Sequence, residues 1–150
     1  VQSYLGMLAS AYLFHKVSRY DINGQRLLEI NDKYYAGDIG LKHSILGFRA
    51  NDIAGHLENI VYLELLSRGY KVDIGKVNDL EIDFIARRPG EQIYIQVAYL
   101  IPDTKTRDRE FGALAKVRDN HPKLVLSLDK YPENSSDGVK WQNLISFLTT

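Results

Sequence analysis

Residues 52–100 constrain the fold most. Leu57, Ile60, Val61 and Leu65 recur at helical spacing, behind Asp52 as a candidate N-cap and ahead of Arg68-Gly69, where glycine accepts the left-handed conformation that ends a helix. Three strand-like apolar runs follow, 71–77, 80–86 and 93–100, with Asn78-Asp79 and Arg88-Pro89-Gly90 as the turns between them. Connections this short join antiparallel neighbours and leave no room for a crossover, so a helix feeding an antiparallel meander is expected.

Into these elements the chain sets three polar residues: Glu58 on the helix, Asp83 between Ile82 and Phe84, and Gln96 between Ile95 and Val97. Oxygen donors converging from neighbouring elements suit Mg²⁺, which prefers octahedral oxygen coordination and keeps several of its waters. Strand alternation groups Glu81, Asp83 and Ile85 on one face and Tyr94, Gln96 and Ala98 on one face of the next strand. Asp83 and Gln96 are therefore expected on the same sheet face, with Glu58 approaching from the helix. Gln96 supplies oxygen without charge, so at most two carboxylates contribute and a weak site is expected. The alternative is structural, with Glu58 and Glu64 forming a polar helix edge and Asp83 paired with a lysine or arginine.

Ahead of this region the helical spacing of Leu5, Leu8 and Tyr12 gives way near Val17. Residues 17–21 and 25–30 flank Asn23-Gly24, a pair suited to the positive φ of a tight hairpin turn. A helix followed by a hairpin predicts a partial winged-helix-like segment over 1–50, in which His15, Lys16, Arg19 and Arg26 are available to phosphates. Residues 32–35 read as a further short strand, and Asp38 as the cap of a short helix reaching Leu46. Beyond the meander, 103–120 reads as a helix with Phe111, Leu114 and Val117 inward and Arg107, Arg109 and Arg118 outward. Then come a strand at 123–129, a loop at 132–138, a strand at 139–141 and a helix at 144–148. The division expected is 1–50 and 51–150.

Composition excludes several classes. Hydrophobic content of 45% and charged content of 25% are those of an ordinary globular chain able to build a core. Lys and Arg balance Asp and Glu at eight of each in residues 1–75 and eleven of each in 76–150. Neither half is a basic module, so DNA contact would rest on a local patch. Without cysteine there are no disulfides, thiolate metal sites or cysteine nucleophile. His15, His43, His56 and His121 lack ligand spacing, which argues against zinc. No window nears about 18 consecutive apolar residues and no charged-then-apolar leader is present, so neither a membrane span nor a signal peptide is expected, and a cytoplasmic setting is the natural reading. The start at Val1, with a helical pattern already running, leads us to expect a longer parent protein.

The order helix, three strands, helix, strand resembles the restriction-endonuclease-like α/β core. Glu58, Asp83 and Gln96-Val97-Ala98 resemble the helix acid, strand aspartate and (Glu/Gln)-x-Lys stretch of the PD-(D/E)XK nuclease superfamily. Nearly the whole chain is similar to the C-terminal domain of predicted prokaryotic AAA-type ATPases, through residues 33–41 (Lys33 to Leu41), Glu58-Asn59 and 81–84. The resemblance implies an upstream ATPase domain as partner. No Gly-rich Lys-Ser or Lys-Thr loop exists here, so this fragment is expected not to bind ATP. It also implies Mg²⁺ held by Asp83, Gln96 and the Val97 carbonyl, with Glu58 orienting a water or completing the shell. The departure is Ala98, which stands at the lysine position. Loss of one preorganised transition-state donor costs about a hundred- to a thousandfold in rate. Three roles follow: an accessory domain with a degenerate site that binds nucleic acid or a partner; a Mg²⁺-dependent DNA nuclease with a displaced lysine, Lys76 or Lys105; or a structural assembly module of the ATPase.

Overall fold

A computed structural model describes residues 2–47, 49–130 and 138–150. The element order is α1 (Gln2–Ser10), β1 (Phe14–Asp21), β2 (Arg26–Ala36), α2 (Ile39–Leu46), α3 (Ile53–Ser67), β3 (Lys71–Val77), β4 (Leu80–Arg88), β5 (Glu91–Val97), α4 (Thr104–Ala115), β6 (Lys123–Ser127), β7 (Val139–Asn143) and α5 (Leu144–Thr149). The architecture is mixed α/β. Seven strands form one sheet in the order β2-β1-β3-β4-β5-β6-β7. The β3-β4-β5 meander is antiparallel, whereas β1 pairs parallel with β3 and β5-β6-β7 run parallel.

Helix α3 buries Leu57, Val61 and Leu65 against one sheet face, together with Phe84, Ile95 and Val97 and with Leu144 and Phe147 of α5. Its end is closed by Gly69 at φ 79, with Gly69 N–H donating to Leu66 O (2.9 Å) and Tyr70 N–H to Leu65 O (3.0 Å), a pairing that satisfies carbonyls the last turn would leave bare. Asp52 precedes the helix within a short 3-10 turn, but its side chain makes no capping bond. On the opposite face α4, which ends at Ala115 rather than reaching 120, buries Phe111 and Leu114, and Val117 just beyond its end joins them against Ile82, Ile85, Tyr94 and Val125. Asp38 and Asp103 cap α2 and α4 through Leu41 N–H (2.9 Å) and Thr106 N–H (2.7 Å).

The first fifty residues differ from expectation. Helix α1 stops at Ser10, and β1 begins at Phe14 rather than near Val17. Residues 32–35 are no separate strand but the second half of the long β2, which reaches Ala36. The positive φ of the hairpin turn falls on Gln25, while Gly24 N–H donates to Asp21 Oδ1 (3.1 Å). Nor does the hairpin stand apart as a winged-helix-like unit. Tyr35 stacks on Tyr62 of α3 (4.5 Å), and Val17 and Tyr35 are buried in the α3-side core. Burial of these strand residues outweighs the local helical spacing of the opening segment.

One irregularity positions the site. Asp73 and Gly75 of β3 lie opposite Ile85 and Ile82 of β4, so two steps on one strand face three on the other, and the extra residue sits at Asp83-Phe84. Such a bulge breaks the simple alternation of faces. Ile82 and Ile85 consequently both face α4, while Phe84 and Ala86 face α3. Gly75 opposite is required by space, since a Cβ there would lie 2.9 Å from Ile82 Cβ and 3.1 Å from Ile85 Cγ1.

Candidate functional site

The β4–β5 ladder runs from Arg88↔Glu91 to Phe84↔Ile95, and beyond it the strands are bridged by side chains. Asp83 Oδ2 accepts from Val97 N–H (2.8 Å), and Asp83 N–H donates to Gln96 Oε1 (3.3 Å). Ile95 and Val97 pack on the α3 side and Tyr94 and Ala98 on the α4 side. Gln96, between them, falls on the α4 side and donates from Nε2 to Glu110 Oε2 (3.2 Å). The expectation of one shared face for Asp83 and Gln96 is thus corrected: the bulge places Asp83 at the crossover between the strands, while regular alternation sends Gln96 towards α4.

Glu58, from the middle of α3, faces the hairpin. Its Oε1 accepts from Lys33 Nζ (2.8 Å) and from the Tyr35 hydroxyl. Lys33 reaches on to Glu81 Oε1 (2.8 Å), and Arg19 binds the other Glu81 oxygen. A ladder Arg19–Glu81–Lys33–Glu58–Tyr35 therefore spans β1, β4, β2 and α3. Burial works against the Lys33 ammonium, yet the hydrogen bonds and charge of Glu58 and Glu81 outweigh it and hold its pKa above the usual lysine value. Burial also opposes the Glu81 carboxylate, but Lys33 and Arg19 hold its pKa below the ordinary value. Tyr35 is held firmly protonated, by burial first and then by the Glu58 charge.

Asp83 is the perturbed group. Burial and then the Glu58 charge push its carboxyl up to about 7, against the Val97 N–H bond and the Lys33 charge, with Glu110 adding to the rise. Glu110, buried at 6% exposure, takes both a 2.9 Å and a 2.6 Å bond from Arg109. Ala98, at 6% exposure, sits in the α4-side core with Ile101, Phe111 and Leu114.

Among the described residues, no set of three or more His, Cys, Asp and Glu side chains converges as a metal-binding group. Glu58 Oε1 is occupied by Lys33 and Tyr35, Asp83 Oδ2 by Val97 N–H, and Gln96 Oε1 by Asp83 N–H. Val97, expected to contribute its carbonyl, engages the site through its N–H. In this arrangement one oxygen of Glu58, one of Asp83 and the single amide oxygen of Gln96 are already engaged.

The residues assigned to phosphate do not gather. Lys16 bonds Asp32 (2.9 Å) on the face of β1 opposite Val17, Arg19 belongs to the ladder on the α3 side, and Arg26 is exposed beside the hairpin turn. Of the lysines proposed as substitutes, Lys76 lies opposite Glu81 in the β3–β4 register and Lys105 is exposed in the first turn of α4. The lysine brought to the cluster is Lys33, from the segment 1–50 expected to form a separate unit. Its signal was alternation: Lys33 and Tyr35 share a strand face. Glu110 also escaped notice, although it stands four residues before Leu114 on the inward stripe of α4. Arg107, expected outward, lies over the rings of Phe111 (5.3 Å) and Trp141 (5.9 Å). His43 and His56 approach with Nε2 atoms 3.1 Å apart, joining α2 to α3.

A second feature is apolar. A groove of about 370 Å³ opens between α1, β2 and α2, lined in part by Leu8, Leu13, Tyr34, Leu41 and Ile45. Ile45 is 70% exposed, and Met7 and Tyr4 of α1 are 67% and 73% exposed. No helix among the described residues is long and apolar enough to cross a membrane.

No family model matches the chain, and no solved structure matches it. The chain is similar to an uncharacterized protein of Haemophilus influenzae, 39% identical over 148 residues. That alignment covers 99% of this chain but only 36% of the Haemophilus protein, so the chain spans little more than a third of the length of the relative it matches.

Proposed function

We propose that this chain is a restriction-endonuclease-like domain that works by binding rather than cutting, as an accessory part of a longer ATPase-type protein. The observation that carries the reading is the β4–β5 junction. Within an α-β-β-β-α-β succession from α3 to β6, Asp83 bonds Gln96 and the Val97 N–H, the Glu58 charge acts on Asp83 from α3, and an apolar Ala98 stands two residues after Gln96, where the PD-(D/E)XK pattern has lysine. The proposed partner is another segment of the parent chain, the upstream ATPase domain, seated in the apolar groove between α1 and α2. Two things support it. The relative extends far beyond the aligned region, and large apolar side chains are exposed together around that groove, as at protein contact sites. Nucleic acid is the weaker ligand, because Lys16 and Arg19 are committed to Asp32 and Glu81 and the net charge is zero.

The purified chain with Mg²⁺ or Mn²⁺ should leave single- and double-stranded DNA intact. The second reading, an active Mg²⁺-dependent nuclease with a displaced lysine, is favoured by the position of Lys33 beside Glu58. Cutting by the unmodified chain that disappears in both Asp83→Ala and Lys33→Met would establish it and remove the first.

A further inference from the structure

We propose that the Lys33 ammonium is the resident cation of this site, standing in place of a divalent metal. Glu58, Glu81 and Asp83 crowd the α3 side of the sheet where β4 bulges, and clustered partly buried carboxylates require a positive partner. A nuclease-like centre would meet that need with a bound metal. Here the chain supplies it covalently. Lys33 lies opposite Val17 in the β1–β2 register, which turns it to the α3 face, and its Nζ is 2.8 Å from Glu58 Oε1 and 2.8 Å from Glu81 Oε1. Tyr35, two residues on and so on the same face, donates to the same Glu58 oxygen. Alternate residues of β2 therefore clasp one carboxylate oxygen, and Arg19 closes the far side of Glu81.

A metal and this ammonium exclude one another. A Mg²⁺ or Mn²⁺ ion on the Glu58 carboxylate would sit about 2.1 Å from its oxygen, beside an ammonium 2.8 Å from Oε1, and two cations so close repel strongly where water is partly excluded. The lysine is also favoured entropically, since it is tethered to a paired strand.

The inference rests on the nuclease-like reading only in the choice of metal. DNA cutting tests that reading, and metal titration tests this one. Manganese alone is the probe, followed by calorimetry and by the electron paramagnetic resonance of free Mn²⁺ on the folded chain. The wild type should fill no site at millimolar Mn²⁺. Lys33→Met, which keeps the unbranched stem of the side chain without the terminal ammonium, should gain one site, at least about tenfold tighter than anything in the wild type. Adding Asp83→Asn or Glu58→Gln should abolish the gain. In the wild type, the Lys33 ammonium resonance should stay unbroadened as Mn²⁺ is added, which provides a readout if Lys33→Met does not fold. Submillimolar Mn²⁺ binding by the wild type that Asp83→Asn removes, broadening of the Lys33 resonance, or a folded Lys33→Met chain that gains no site would each overturn the proposal.

Discussion

The β4–β5 junction and the α1–α2 groove are opposites. At the junction, ionised and polar groups are buried and hold one another: Glu58 with Lys33 and Tyr35, Asp83 with Val97, and Gln96 with Glu110. At the groove, large apolar groups stand in solvent, with Ile45 70% and Leu41 42% exposed. Burying charge is costly unless partners are supplied, so the first region is built to be complete by itself. Exposing a contiguous apolar surface gives up hydrophobic burial, so the second is a surface that gains from being covered.

The largest effect should come from unbalancing the junction. Glu58→Ala leaves the Lys33 ammonium and the Tyr35 hydroxyl short of their shared acceptor, and should cost about 2–4 kcal/mol in urea unfolding. A loss under about 1 kcal/mol would mean that the cluster is hydrated rather than self-contained, which would erase the contrast with the groove. Asp83 gives a smaller effect that depends on pH. Its folded pKa is raised from 3.8 to about 7, so its contribution is fully present below pH 4 and is lost as pH rises through 7. Asp83→Asn should therefore match the wild type near pH 3–4 and exceed it by about 1–3 kcal/mol near pH 8. Equal melting temperatures for the two chains across that range would remove the claim of a costly buried charge.

At the groove the order of effects reverses. Ile45→Ser and Leu41→Ser should change stability by less than about 0.5 kcal/mol, yet both should weaken association with the rest of the parent chain when the two parts are mixed. Unchanged association would place the contact elsewhere. The smallest effect belongs to the Lys16–Asp32 pair on the outer edge, whose removal by Lys16→Ala should barely move the urea unfolding midpoint, with any difference vanishing in high salt. A larger, salt-independent loss would show that the outer edge of the hairpin is more tightly bound into the sheet than its exposure indicates.

Local patterns were legible where the chemistry is local. Helix α3 and strand β3 begin and end close to where apolar spacing and the turns at Gly69 and Asn78-Asp79 put them, because caps and turns are decided within a few residues. The caps at Asp38 and Asp103 could be found in the same way, though only Asp38 was. The meeting of Asp83 and Gln96 was also legible, since a short turn brings consecutive strands of a meander side by side. The face each residue takes was not. One extra residue in β4, opposite Gly75, changes which side chains point to α3, and nothing in the alternation of 80–86 announces it.

The covalent order by itself determined the helix-and-meander succession, the neutral charge and the placing of acids within apolar elements, all of which follow from periodicities of a few residues. Only the tertiary structure decided that β1 joins β3 in parallel, that Lys33 crosses from the hairpin to Glu58, and that Glu110 meets Gln96. These contacts link residues 14 to 55 positions apart, and their cost in chain entropy is offset by burial of the whole sheet. No local pattern records such pairings, because each forms only after the sheet has brought its two ends together.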